Sequence, residues 1–116
     1  MKLCDLHTHS TFSDGSLTPT ELVALAERQG LGALALTDHN TARGLPEFME
    51  AGRRSGVITV PGCEFTTDWE GRELHVVGLF FPEPSWKEVE DFLDVMRIAK
   101  RRSNEALIDA LRRDGC

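Results

Sequence analysis

Long apolar runs are missing from this 116-residue chain, and no stretch approaches the ~20 residues needed to cross a bilayer. The opening Met1-Lys2-Leu3-Cys4-Asp5 also lacks the apolar segment of a signal peptide, so a cytoplasmic location with no membrane partner is expected. Cysteine is scarce. Cys4, Cys63 and Cys116 are an odd number at wide spacing, which suits neither a disulfide framework nor a CxxC zinc site and points to a reducing compartment. Excess positive charge is lacking too: a formal net charge of -6 argues against a general nucleic-acid coat, while leaving room for a small phosphorylated substrate drawn to a local cation. Internal repeats and low-complexity linkers are absent, and 41% hydrophobic with 28% charged residues is the balance of one globular unit over residues 1–116.

What is present alternates between strand and helix. Lys2 to Leu6 reads as a strand entering the polar stretch His7 to Gly15. Thr18-Pro19-Thr20-Glu21 supplies an N-cap, a proline at the first helical position and the acidic partner of a capping box, with Gly30 as the stop. Gly32 to Thr37 is a small, apolar run expected for a strand buried on both faces, ending at Asp38-His39-Asn40. A second helix is expected over 45–55, and a third strand over Val57 to Val60, closed by Pro61-Gly62-Cys63-Glu64. After a turn around Asp68 to Arg72, Leu74 to Phe81 reads as a fourth strand carrying His75. Ser85-Trp86-Lys87-Glu88 has the spelling of a capping box opening a long helix, with Val89, Phe92, Leu93, Met96, Ala99, Leu107, Ile108 and Leu111 apolar. This alternation predicts an α/β fold of parallel strands whose C-terminal ends collect ligands, with His7, His9, His39 and Glu64 just past strand ends and His75 less neatly within one.

All four histidines therefore lie at or beside strand ends, accompanied by Asp5, Asp14, Asp38 and Glu64. In His7-Thr8-His9 an extended backbone puts both imidazoles on one side, where two nitrogens can meet one ion. That signal alone is weak. Asp14 adds a carboxylate from the same loop, and His39 an imidazole from the neighbouring strand. Mixed imidazole and carboxylate donors suit Zn, Mn or Fe better than Mg or Ca, and Glu64 has two oxygens with which to bridge two ions.

These segments resemble a known family. Asp5 to Gly15 (DLHTHSTFSDG) looks like the first motif of the PHP (polymerase and histidinol phosphatase) superfamily, and Thr37-Asp38-His39-Asn40 followed by Gly44 like its second. Pro61-Gly62-Cys63-Glu64 resembles the third motif and His75-Val76-Val77-Gly78 the histidine segment after it, in order and across essentially the whole chain. The resemblance implies the N-terminal part of a distorted (β/α)7 barrel, a metal-dependent phosphoesterase activity, and two or three divalent ions per complete site. It implies that His7, His9 and Glu64 bind one ion, Glu64 and His75 a second, and Asp14 and His39 a third, with Glu64, His9 and His39 most directly serving catalysis. Small members hydrolyse histidinol phosphate, nucleotide phosphates or short RNA from its 5′ end, and the spelling here is closest to the nucleotide and oligoribonucleotide group. Family members are longer and carry further ligands in a late Asp-x-His motif. The chain is accordingly expected to be a fragment, a truncated product or half of a site completed by a second copy or another chain. The alternative is a non-catalytic metal-binding or assembly module.

Other residues carry weaker assignments. Asp5 and Asp38 are expected beside the ligands, holding an imidazole tautomer, rather than among them. Cys63 and Cys4 read as small apolar fillers. In the basic run Arg97, Lys100, Arg101 and Arg102, mostly a solvated helix face, Arg97 is the candidate grip on substrate phosphate. Trp69 and Trp86 are most simply packing, although Trp69 in its turn could stack on a base.

Overall fold

In a computed structural model, which describes residues 2–115, the chain runs β1 (Cys4–Thr8), α1 (Pro19–Arg28), β2 (Ala33–Leu36), α2 (Leu45–Arg53), β3 (Ile58–Trp69), β4 (Arg72–Leu79) and α3 (Glu83–Arg113). The local signals at α1 act as their chemistry requires. Glu21 N–H donates to Thr18 Oγ1 at 3.2 Å while Thr18 N–H donates to Glu21 Oε1 at 3.0 Å, so two N–H groups left free by the helix start are satisfied reciprocally. Just past the helix, Gly30 takes a positive φ of 76° that ends it.

The strands form one sheet in the order β1-β2-β3-β4. The pairs β1–β2 and β2–β3 are parallel, as expected, but β3–β4 is antiparallel. The connection decides this: only Glu70 and Gly71 separate the two strands, both at positive φ (49° and 77°), which makes a tight hairpin turn rather than the long crossover that parallel pairing needs. Also contrary to expectation, β3 does not close at Pro61 but runs on to Trp69. Pro61 directs its carbonyl to Phe80 N–H at 2.7 Å, beyond the last β3–β4 rung at Gly62 and Leu79, so the N–H that proline lacks had no strand partner to lose. His7 and Glu64 consequently lie inside strands, whereas His9 and His39 lie past the ends of β1 and β2.

The core lies between the sheet and the first two helices, with Val23 and Ala26 of α1, Leu34 and Leu36 of β2, and Leu45 and Phe48 of α2 all buried. Each large apolar side chain buried there contributes roughly 1.5–3 kcal/mol. The α2–β3 contact depends on a missing side chain, because a Cβ on Gly52 would lie 2.1 Å from Thr59 Oγ1. The third helix departs from its expected start. It begins at Glu83, with Pro82 as N-cap, and Ser85 Oγ donates back to the Pro82 carbonyl at 2.7 Å instead of capping. Pro82 and Pro84 impose the earlier start, since proline is compatible with the first helical turn and disfavours helix in the residue before it. Of the apolar residues on α3 only Leu93 is buried, and Leu107, Ile108 and Leu111 stay exposed.

Gly52→Ala should therefore destabilise the fold by about 1–3 kcal/mol despite alanine's better helix propensity. Denaturant unfolding checks this, and adding Thr59→Ala should recover much of the loss through non-additivity.

Candidate metal centre

The sheet brings the sequence-predicted donors to one place. Past Leu36 the chain continues alongside β3 through a single bridge between His39 and Glu64. Glu64 N–H donates to the Asp38 carbonyl at 3.0 Å and Asn40 N–H to the Glu64 carbonyl at 2.9 Å, so backbone bonds set His39 beside Glu64. The antiparallel pairing, with Thr66 opposite His75 and Glu64 opposite Val77, puts His75 diagonally across from Glu64 on the same face. The extended His7-Thr8-His9 segment places its two rings 5.0 Å apart.

Glu64 is the hub. One oxygen, Oε1, is in contact with His7 Nε2 and lies 3.4 Å from His9 Nε2. The other, Oε2, lies 3.4 Å from His39 Nδ1 and 3.2 Å from His75 Nδ1. Asp14 stands on the far side, 3.3 Å from His39 Nε2 and 3.7 Å from His9 Nδ1. The His9 and His39 rings stack with centroids 4.4 Å apart. Burial pushes the Glu64 carboxyl up, but the His7 hydrogen bond and the His39, His7 and His9 charges outweigh it and hold the group below its ordinary value.

Three triples have donor atoms within 4.8 Å of one another: His7, His9 and Glu64; His9, Asp14 and His39; His39, Glu64 and His75. The first is a set implied by the family resemblance. The other two add His39 to Glu64 with His75, and His9 to Asp14 with His39. A neutral imidazole has one lone pair, so His9 and His39, each facing two triples, can ligate in only one of them and donate an N–H in the other. A cation fits this arrangement for a specific reason. Buried His9 Nδ1 has no hydrogen-bond partner, an uncompensated polar atom that a cation between His9 and Asp14 would satisfy.

Asp38 does not orient an imidazole as expected. Its buried carboxylate accepts the Ser10 N–H and hydroxyl, both at 2.6 Å, and the Ser13 hydroxyl at 2.7 Å, anchoring the loop that carries Asp14. Asp5 accepts the His7 backbone N–H at 3.1 Å. Arg97 is engaged by protein groups, with its guanidinium on the Asn40 carbonyl, Glu90 and Asp94. Trp69 is exposed in its hairpin, and Trp86 packs on the core with its indole N–H on the Phe81 carbonyl at 2.9 Å.

The chain as a whole matches a known domain. The PHP domain model aligns with residues 5–110. The chain belongs to the PHP domain family. Its relatives include a 5′-3′ exoribonuclease from Haemophilus influenzae, 51% identical over 69% of this chain and 29% of that protein. A 3′,5′-nucleoside bisphosphate phosphatase from Chromobacterium violaceum is 36% identical over 97% of this chain and 40% of that one. Among solved structures, a candidate metal-dependent phosphoesterase from Bifidobacterium adolescentis superposes with a TM-score of 0.77 at 31% identity, over 97% of this chain and 39% of that one. The chain thus spans less than half the length of these relatives, and its curled four-stranded sheet with helices is the N-terminal part of a PHP-type barrel.

Ser10, Ser13 and Asn40 lie inside the first two motifs, but their part in holding the loops that carry Asp14 and His39, with Thr66 as the partner of Asn40, carries no signal in the sequence, because the groups they bond are distant along the chain. Cys63 is the other buried polar candidate, and it falls in none of the three donor triples. Burial pushes its thiol up to about 11, with the Glu90 and Asp38 charges adding to the rise and hydrogen bonds from the Thr41 and Asn40 backbone opposing it. Iodoacetamide at pH 8 should modify exposed Cys4 in the native protein and leave Cys63 untouched until denaturation, as read by peptide mass. Because folding holds the Cys63 proton more tightly, its contribution to stability is present below about 9 and lost as pH rises toward about 11.

Proposed function

We propose that this chain contributes the N-terminal half of a divalent-metal-dependent phosphoesterase site acting on nucleotides or short oligoribonucleotides. The observation that carries this reading is Glu64, one buried carboxylate with both oxygens facing two imidazoles each, next to the unpartnered His9 Nδ1. His7, His9, Asp14, His39, Glu64 and His75 are the proposed ligands, and their mixed donor set favours Mn, Zn or Fe. Ions held there supply Lewis acidity, lowering the pKa of a water toward neutrality and neutralising charge on a phosphoryl group. The protein's own part is to fix the donors: Glu64 spans two donor groups, and the His9–His39 stack holds those two rings in register over Asp14. The nucleotide or RNA substrate class is supported by the exoribonuclease and bisphosphate phosphatase among the relatives. We place the protein in the cytoplasm, in keeping with its free thiols Cys4 and Cys63 and with the lack, among the described residues, of a helix long and apolar enough to cross a membrane.

Hydrolysis of an aryl phosphate by the purified chain with added Mn²⁺ or Zn²⁺ tests this. His9→Ala and Glu64→Gln should each reduce cation-dependent turnover about a hundredfold or more, since loss of a ligand should cost at least as much as loss of an outer-shell partner. Undiminished turnover in either variant refutes the assignment.

A second reading, a non-catalytic metal-binding or assembly module, is favoured by one observation: His9 and His39 are each shared by two triples, and with one lone pair apiece they leave the three donor groups incomplete together. Cation binding without turnover selects it. Under both readings the missing donors come from a second copy or a completing chain, consistent with the exposed apolar residues Leu107, Ile108 and Leu111 on α3. Sedimentation at micromolar concentration should accordingly give a species larger than a monomer, and a clean monomer contradicts self-association.

A further inference from the structure

Immediately after His39 the chain leaves the sheet at Asn40, whose positive φ of 52° lies in the left-handed region. This turn is gripped from two sides. On the sheet side, Asn40 Oδ1 accepts Thr66 N–H at 2.9 Å and Asn40 Nδ2 donates to Thr66 Oγ1 at 3.1 Å. On the other side stands α3. The Glu90 carboxylate accepts Ala42 N–H at 2.7 Å and the Thr41 hydroxyl at 3.1 Å, while Arg97 donates to the Asn40 carbonyl. Arg97 also donates to Glu90 at 2.8 Å, and Arg43 Nε lies 3.1 Å from the same Glu90 oxygen. Glu90 and Arg97 are seven residues apart, two helical turns, so one face of α3 delivers both arms to one loop.

We propose that Glu90, backed by Arg97, is a positioning residue that sets the direction of the His39 imidazole through the backbone of residues 40–42. The proposal rests on the reading that His39 ligates a cation. Several features separate this contact from an ordinary surface ion pair. The Glu90 side chain is only 15% exposed, and its Oε2 receives the Ala42 backbone N–H while its Oε1 faces the Arg97 and Arg43 guanidinium groups. Thr41 and Ala42 are themselves buried, so water does not readily take over those hydrogen bonds. Only Asn40 lies between the clamped residues and His39, so a shift of the loop passes directly to the ring. Misplacement by about 1 Å is enough to cost a reacting site on the order of a hundredfold. The same geometry gives Arg97 a task other than holding a substrate phosphate: it orders Glu90 and caps the Asn40 carbonyl.

The test reads histidine ring resonances by NMR in the metal-free full chain, followed by Zn²⁺ titration calorimetry. In Glu90→Ala the His39 ring signals should shift and broaden while those of His7, held on β1, stay in place, and Zn²⁺ affinity should fall about tenfold to a hundredfold. Glu90→Gln keeps an acceptor for the Ala42 N–H and should restore most of both. Asp94→Ala removes a carboxylate that contacts Arg97 and Arg43 but not the loop backbone, and should leave both near wild type. If Glu90→Ala does not fold by circular dichroism, Arg97→Met, which removes the Asn40 carbonyl contact, is read the same way. Unchanged His39 signals in the folded variant, or equal shifts at His7 and His39, overturn the proposal. Wild-type protein that binds no Zn²⁺ while its His39 signal still responds to Glu90→Ala overturns the cation reading and leaves the clamp standing.

Discussion

Glu64 carries a negative charge into a nearly closed position, and such a group is expensive to bury unless each oxygen finds a partner. Both do, and the partners come from four separate segments: His7 from β1, His9 from the loop after it, His39 from the extension of β2, and His75 from β4. The backbone of Glu64 is committed as well, between Asp38 and Asn40. One residue of β3 therefore ties together β1, the extension of β2 and β4, and gathers the four histidines around itself.

The shared geometry also explains why the cluster needs more than its own protons. Four imidazoles and two carboxylates in three overlapping triples have more lone pairs than hydrogens to fill them, and the unpartnered His9 Nδ1 is in keeping with that deficit. A divalent ion resolves it where a proton would only move it, because an ion meets several lone pairs at once.

Support for the cluster comes from opposite directions and by different means. The Asp14 loop is held by a buried carboxylate, Asp38, through two serines; the His39 turn is held by the side chain of Asn40 against β3 and by Glu90 and Arg97 of α3. In each case a charged group accepts or donates to short loop backbone and hydroxyls, which confines the loop more than apolar contact does. The long third helix thus contributes through its first half, while its second half remains an exposed apolar stripe.

Much of this was legible in the chain itself. The capping box of α1 and the buried run of β2 follow from residue type and spacing, because they depend on neighbours a few positions away, whereas the six candidate donors stand out as a set only through the motifs that resemble the PHP family. The turn around Asp68 to Arg72 was legible but the antiparallel pairing was not, because the expected third strand stops at Val60, and only its continuation to Trp69 leaves two residues between the strands. Nor could the sequence reveal that Asp38 would serve serines rather than a histidine, since that depends on where partners lie in space, whereas the earlier start of α3 follows locally from Pro82 and Pro84. Local chemistry in the sequence determined which residues can hold a cation. Tertiary structure decided how they are grouped, because one carboxylate can meet four imidazoles only after β1, β2, β3 and β4 have been brought to one sheet.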